Sequence, residues 1–182
     1  MPRPIEALIH ADALSHNLQR ARTAAPDARL WAVVKADAYG HGIERVFDGL
    51  RAADGFALLD LAEAARLRAL DWRGPILLLE GVFEPRDLEL CSRLNLWHVV
   101  HCTEQIDWLA AHKTQQPHRV FLKMNSGMNR LGFAPQAYRS AWAGGYRLRQ
   151  ERSDFPDSIP GAVRPSATSL FDDERSRHGL HV

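Results

Sequence analysis

Apolar residues recur along this chain in two alternating patterns: short unbroken runs, and longer stretches that are apolar on one face only. Leu30 to Val34, Gly55 to Leu59, Pro75 to Leu79 and Leu96 to Val100 are short runs, the pattern of strands buried on both faces. Arg119 to Met124 reads as a fifth strand of the series, and Ile5 to His10 as a short strand ahead of it. Between the runs the spacing turns helical. Asp12 to Ala25 carries Leu14 and Leu18, and Pro26 stops it. His41 to Ala53 places Ile43, Val46, Phe47 and Leu50 on one face.

The remaining helices carry start signals. Asp60 can cap a helix with Ala64, Leu67 and Leu70, and Glu63 is its reciprocal partner. Pro85 suits the first turn of a helix running to about Leu94. Thr103 can cap a helix containing Ile106, Leu109 and Ala110. Pro135 opens another towards Trp142. From Ala143 the pattern breaks. Gly144-Gly145, Pro156, Pro160 and Pro165 fall among Arg, Ser and Asp, as in a loop-like or disordered tail.

Strands alternating with helices imply parallel βαβ units, in a doubly wound sheet or a (β/α)8 barrel. No G-x-G-x-x-G follows the first strand, which weighs against a dinucleotide sheet. The expected fold is therefore α/β, a (β/α)8 TIM barrel. The barrel is expected to be incomplete, because such barrels usually need about 250 residues and this chain has 182. Residues 1–142 form the expected partial barrel and 143–182 the unrelated tail.

Composition narrows the function. A net charge of +1 gives no field to attract nucleic acid or an anionic membrane. No apolar run approaches the ~18 residues of a membrane span, and Met1 to His10 lacks an apolar signal core. A cytoplasmic location is expected. Cys91 on a helix and Cys102 at a strand end form no disulfide framework and read as buried or neutral thiols. Lysine is scarce: Lys35, Lys113 and Lys123 stand among 23 basic residues. A sheltered lysine can shed its proton and attack an aldehyde, which arginine cannot do. Lys113 reads as a plain surface lysine.

Two segments could carry chemistry. In Val33-Val34-Lys35-Ala36-Asp37-Ala38-Tyr39-Gly40-His41-Gly42, Lys35 sits where a strand ends, on the face where barrels build active sites. Tyr39 and His41 follow in a glycine-spaced loop. Spacing alone favours a strand-end lysine reaching for solvent. In Lys123-Met124-Asn125-Ser126-Gly127-Met128-Asn129-Arg130-Leu131-Gly132-Phe133, glycines bracket a turn that holds one arginine. That guanidinium could hold a carboxylate or a phenolic oxygen, or simply be exposed on a surface loop.

Together these segments resemble the alanine racemase family, and Asp12-Ala13-Leu14-Ser15-His16-Asn17-Leu18 is similar to its N-terminal helix. The resemblance runs from about residue 5 to 142. It implies an isomerase that interconverts L- and D-alanine with pyridoxal 5'-phosphate, supplying D-alanine for peptidoglycan. Lys35 would form the Schiff base with the cofactor and serve as the acid/base group for the D-enantiomer. Tyr39 would lie beside the cofactor phosphate. Arg130 would sit near the phenolic oxygen and the substrate carboxylate. Lys123 occupies the position that some members carbamylate, and a carbamate there would orient Arg130. His41 receives no chemical role and is expected to be packed or hydrogen-bonded. No metal is required.

Racemisation needs a base on each face of a planar carbanion. The family's second base is a tyrosine from the C-terminal β-domain of the partner subunit in a homodimer. No segment after residue 142 matches it, nor the arginine at the pyridine nitrogen or the phosphate-holding serine of the later strands. A frameshift near residue 142 is the simplest expectation, and the isolated chain is expected to be inactive. Two alternatives stay open at this point: a barrel that binds the cofactor without catalysis, and an unfolded remnant.

Overall fold

A computed structural model of the chain describes residues 6–113 and 118–151. They form two compact units, one up to Gly74 and one from Pro75.

The first unit runs α1 (Ala11–Ala24), β1 (Trp31–Val33), α2 (Lys35–Tyr39), α3 (Ile43–Leu50), β2 (Gly55–Leu58) and α4 (Leu61–Ala69). β1 and β2 pair in parallel, with Trp31 opposite Gly55 and Val33 opposite Ala57. Glycine is needed at 55, because a Cβ there would stand 2.5 Å from the Trp31 ring. The core forms where α3 meets β2. Ile43, Val46 and Phe47 are buried along one face of α3, as their spacing predicts. Phe56 is fully buried, stacked 5.8 Å from Phe47 and edge-on to Trp72 at 4.9 Å. Asp54 Oδ2 accepts the Leu30 amide at 2.8 Å and pairs with Arg22 at 3.3 Å, which ties the entry of β1 to α1.

The second unit runs β3 (Ile76–Leu78), α5 (Asp87–Arg93), β4 (Trp97–Val100), α6 (Thr103–Ala111), β5 (Arg119–Leu122) and α7 (Pro135–Glu151). β4 lies between β3 and β5 and pairs with both in parallel. Every residue of β4 is buried. Each unit is thus α/β, with helices between parallel strands. The five strands among the described residues are fewer than the eight of a closed barrel.

Several local expectations are corrected. Residues 6–10 are not a strand; they lead into α1, with His10 at its N-cap, and no ladder pairs with them among the described residues. Ile5 lies outside those residues. Thr103 is the first helical residue of α6 and Cys102 its cap, so Cys102 does not end a strand. Pro85 sits in a turn before α5, which starts at Asp87. Along α6 the buried residues are Gln105 and Leu109, whereas Ala110 is exposed. Gln105 faces inward because its amide donates to Glu80 O and Val82 O and accepts the His101 amide.

α7 continues through Gly144-Gly145 to Glu151. Glycine in a helix costs about 1 kcal/mol relative to alanine, which neighbouring residues can offset. The rest of the expected tail, residues 152–182, lies outside the described residues. Among the described residues no helix is long and apolar enough to cross a membrane.

Candidate functional site

β1 ends at Val33, and Val34 extends its ladder by donating to Ala57 O at 2.8 Å. Lys35 follows at this carboxyl end of the strand. It is half-buried, rather than sealed from solvent. Among the described residues its amine meets no carboxylate and no hydrogen-bond acceptor. Lys35 opens α2, and α2 is left-handed. Ala36, Asp37, Ala38 and Tyr39 all have φ between +53° and +56°. A left-handed conformation costs an L-residue roughly 1–2 kcal/mol, so four in succession need compensation.

Part of it is local. The Ala38 amide donates to Val34 O at 2.9 Å, the Gly40 amide to Ala36 O at 2.9 Å and the Gly42 amide to Asp37 O at 2.8 Å. Gly40 ends the turn at φ +84°, and no heavy atom lies within 4 Å of where its Cβ would be. Part comes from outside the turn. Glu63 Oε1 accepts the Asp37 amide at 2.6 Å. Asp37 Oδ1 accepts the Ile43 amide at 3.2 Å and pairs with Arg66 Nη2 at 2.7 Å. Arg66 also donates through Nε to Glu44 Oε1 at 2.8 Å. The Arg66 guanidinium holds the Glu44 carboxyl at about 2 and the Asp37 carboxyl below its ordinary range. Both stay ionised at neutral pH. The same pairing raises Arg66.

Tyr39, at the far end of α2 from Lys35, is 59% exposed. Beside it, α1, β1 and α3 enclose an apolar groove of about 180 Å³, lined in part by Leu18, Val33, Val34, Tyr39 and His41. His41 is exposed, not packed as expected; its amide donates to Ala38 O at 3.1 Å. A primary amine and a phenol that meet no charged partner among the described residues, with open space over Gly40, fit an aldehyde-bearing, anionic ring such as pyridoxal 5'-phosphate.

The second unit positions Lys123 and Arg130 on one loop. Lys123 follows β5; its amide donates to Val100 O at 2.9 Å, and its carbonyl accepts the Phe133 amide at 2.9 Å. Asn125 Oδ1 accepts the Gly127 and Asn129 amides at 3.1 and 3.0 Å, which folds the loop on itself. Gly132, at φ +109°, lets the return strand approach; a Cβ there would stand 2.7 Å from Asn125 N. Lys123 is half-buried and Arg130 exposed, and among the described residues neither side chain has an ion-pair partner. Lys35 and Tyr39 thus stand at the two ends of α2 in the first unit, and Lys123 and Arg130 on the loop after β5 in the second. Lys113 is exposed, as expected. Burial raises the thiols of Cys91, to about 12, and of Cys102, so neither is a nucleophile at neutral pH.

Sequence reasoning missed Arg66, Glu63 and Glu44. Glu63 carries no reciprocal cap for Asp60, whose carboxylate accepts the Ala62 amide at 2.6 Å instead. The only signal for the others is their charge on exposed helix faces, which pattern reading assigns to solvent.

Comparison with known proteins agrees with the two segments. Residues 9–152 match the family "Alanine racemase, N-terminal domain". The alanine racemase of Methylibium petroleiphilum is 72% identical over 178 residues, covering 95% of this chain and 48% of that protein. The alanine racemase of Acidovorax sp. strain JS42 is 85% identical over 143 residues, covering 79% of this chain and 39% of that protein. Among solved structures, the biosynthetic alanine racemase of Pseudomonas aeruginosa matches with a TM-score of 0.72 at 43% identity, covering 79% of this chain and 39% of that one. The chain therefore spans between 39% and 48% of the length of these relatives.

Proposed function

Because the chain belongs to the alanine racemase N-terminal domain family, we propose that it supplies the cofactor-lysine part of an alanine racemase acting in the cytoplasm. When bound, pyridoxal 5'-phosphate supplies an electron sink for the pair left behind as the α-proton of alanine departs. Lys35 Nζ would hold the cofactor covalently, and the same amine would take or return the α-proton on the face that serves the D-enantiomer. Tyr39 Oη would donate to the cofactor phosphate, and Arg130 would hold the substrate carboxylate and the cofactor's phenolic oxygen. A carbamate on Lys123 turns a cation into an anion that orients Arg130. The opposite base is a tyrosine of the partner subunit in a homodimer, and no residue described here takes that role.

One observation carries this reading: the half-buried Lys35 amine, at the carboxyl end of a parallel strand, has no carboxylate to neutralise it among the described residues. Asp37, two residues on, and Glu44 are both committed to Arg66.

The test uses the 182-residue chain mixed with pyridoxal 5'-phosphate, followed by absorbance and by chiral analysis of added L-alanine. The expected result is a band of lysine-bound cofactor, lost in Lys35→Ala, with no sustained D-alanine formation. A chain that develops no such band contradicts the cofactor role, and steady turnover contradicts the need for a second base.

A further inference from the structure

The left-handed turn after Lys35 is gripped from outside at a single residue. Two side chains of α4, Glu63 and Arg66, lie one helical turn apart and both reach Asp37. Glu63 takes its amide and Arg66 its carboxylate, at 2.6 and 2.7 Å. Glu44 on α3 aims Arg66 by accepting from it through both carboxylate oxygens.

Global stability does not account for this arrangement. The second oxygen of Glu63 is buried with no hydrogen-bond partner among the described residues, a cost that a structural carboxylate would avoid. Ion pairs as exposed as Arg66 with Asp37 and Glu44 add little to folding. What the contacts share is their target, the middle of four residues whose preferred conformation is right-handed.

We propose that Arg66 and Glu63 are positioning residues for Lys35. They lock α2 in its left-handed form, and so fix the directions from which Lys35 Nζ and Tyr39 Oη meet the cofactor. With the lock released, α2 samples right-handed conformations, and the two groups lose their common orientation. This inference rests on the reading of Lys35 as the cofactor lysine.

Two measurements on the purified full chain test it. The first is amide hydrogen exchange at Ala38, Gly40 and Gly42 without cofactor. The second is the rate at which pyridoxal 5'-phosphate, trapped by borohydride, labels Lys35. In Arg66→Gln and in Glu63→Ala, exchange should quicken and labelling slow by about twofold to fivefold, the scale of one exposed charged contact. The melting temperature should barely move, and Arg66→Lys should return most of the labelling rate. Faster exchange with unchanged labelling overturns the positioning role, as do unchanged exchange and a labelling loss that merely tracks melting temperature. In each of those cases wild-type labelling at Lys35 persists. Its absence in the wild-type chain marks failure of the cofactor reading itself.

Discussion

His98 Nε2 lies 3.3 Å from His118 Nδ1, and both rings are buried in the second unit. His118 in turn meets Ser92 Oγ at 3.4 Å, and the His112 ring stands 5.2 Å from it. Burial, and then the neighbouring His118, lower His98 to about 3. Among the described residues, Nδ1 of His98 has no hydrogen-bond partner. This imidazole is therefore held neutral in the fold.

The sign of the pH effect follows. Below about 6.5 the unfolded chain binds a proton at His98 that the folded chain refuses. Stability contributed by the neutral ring is complete above that pH and falls as pH drops towards about 3. The slope approaches about 1.4 kcal/mol per pH unit. Urea unfolding followed by tryptophan fluorescence should show the decline between pH 6 and 4. His98→Leu should flatten it. An equal slope in the variant would place the acid sensitivity elsewhere.

Gly81→Ala should unfold the second unit. Gly81 sits at φ +73°, and an added Cβ would stand 2.1 Å from Val99 O and 2.7 Å from Gln105 Nε2. Backbone strain and the loss of the Gln105 contacts together should cost roughly 3 kcal/mol or more. Thermal melting of the variant checks this, and a change under 1 kcal/mol on that roughly estimated scale would show that the loop relaxes freely.

Phe56→Ala should remove about 3–5 kcal/mol from the first unit, because Phe56 is fully enclosed between Phe47 and Trp72. Phe56→Leu should cost less than the alanine change. Denaturant titration distinguishes the two, and equal losses would mean that the aromatic contacts contribute little.

Asp60→Ala should weaken α4 by about 1 kcal/mol, whereas Asp60→Asn keeps most of the cap. The Ala62 amide is the group left unpaired. Since α4 carries Glu63 and Arg66, the alanine variant should also quicken amide exchange at Gly40 and Gly42. Exchange that stays at the wild-type rate would uncouple the helix start from the turn.

Much of this was legible in the sequence. Ile43, Val46 and Phe47 announce α3 through helical spacing, and the runs before Val34, Leu59 and Val100 announce their strands. Lys35, Tyr39, Lys123 and Arg130 stand out because motifs carry their own spacing. What stayed hidden depends on contacts between distant residues. Gln105 is polar, so a hydrophobic count turns it outward, yet three hydrogen bonds to loop backbone bury it. Glu63 fits a capping pattern but reaches Asp37 instead. Left-handed φ runs against the propensity of Ala36, Ala38 and Tyr39, and Asp37 visits that region by itself only as a single residue, so no local rule predicts α2.

The most direct test of the account asks which of the three lysines of this chain captures the cofactor. The 182-residue chain is incubated with pyridoxal 5'-phosphate, reduced with borohydride, digested and mapped by mass spectrometry. The account predicts label on the peptide containing Lys35, with Lys113 and Lys123 at background. Label spread evenly over the three, or absent from Lys35, would contradict it.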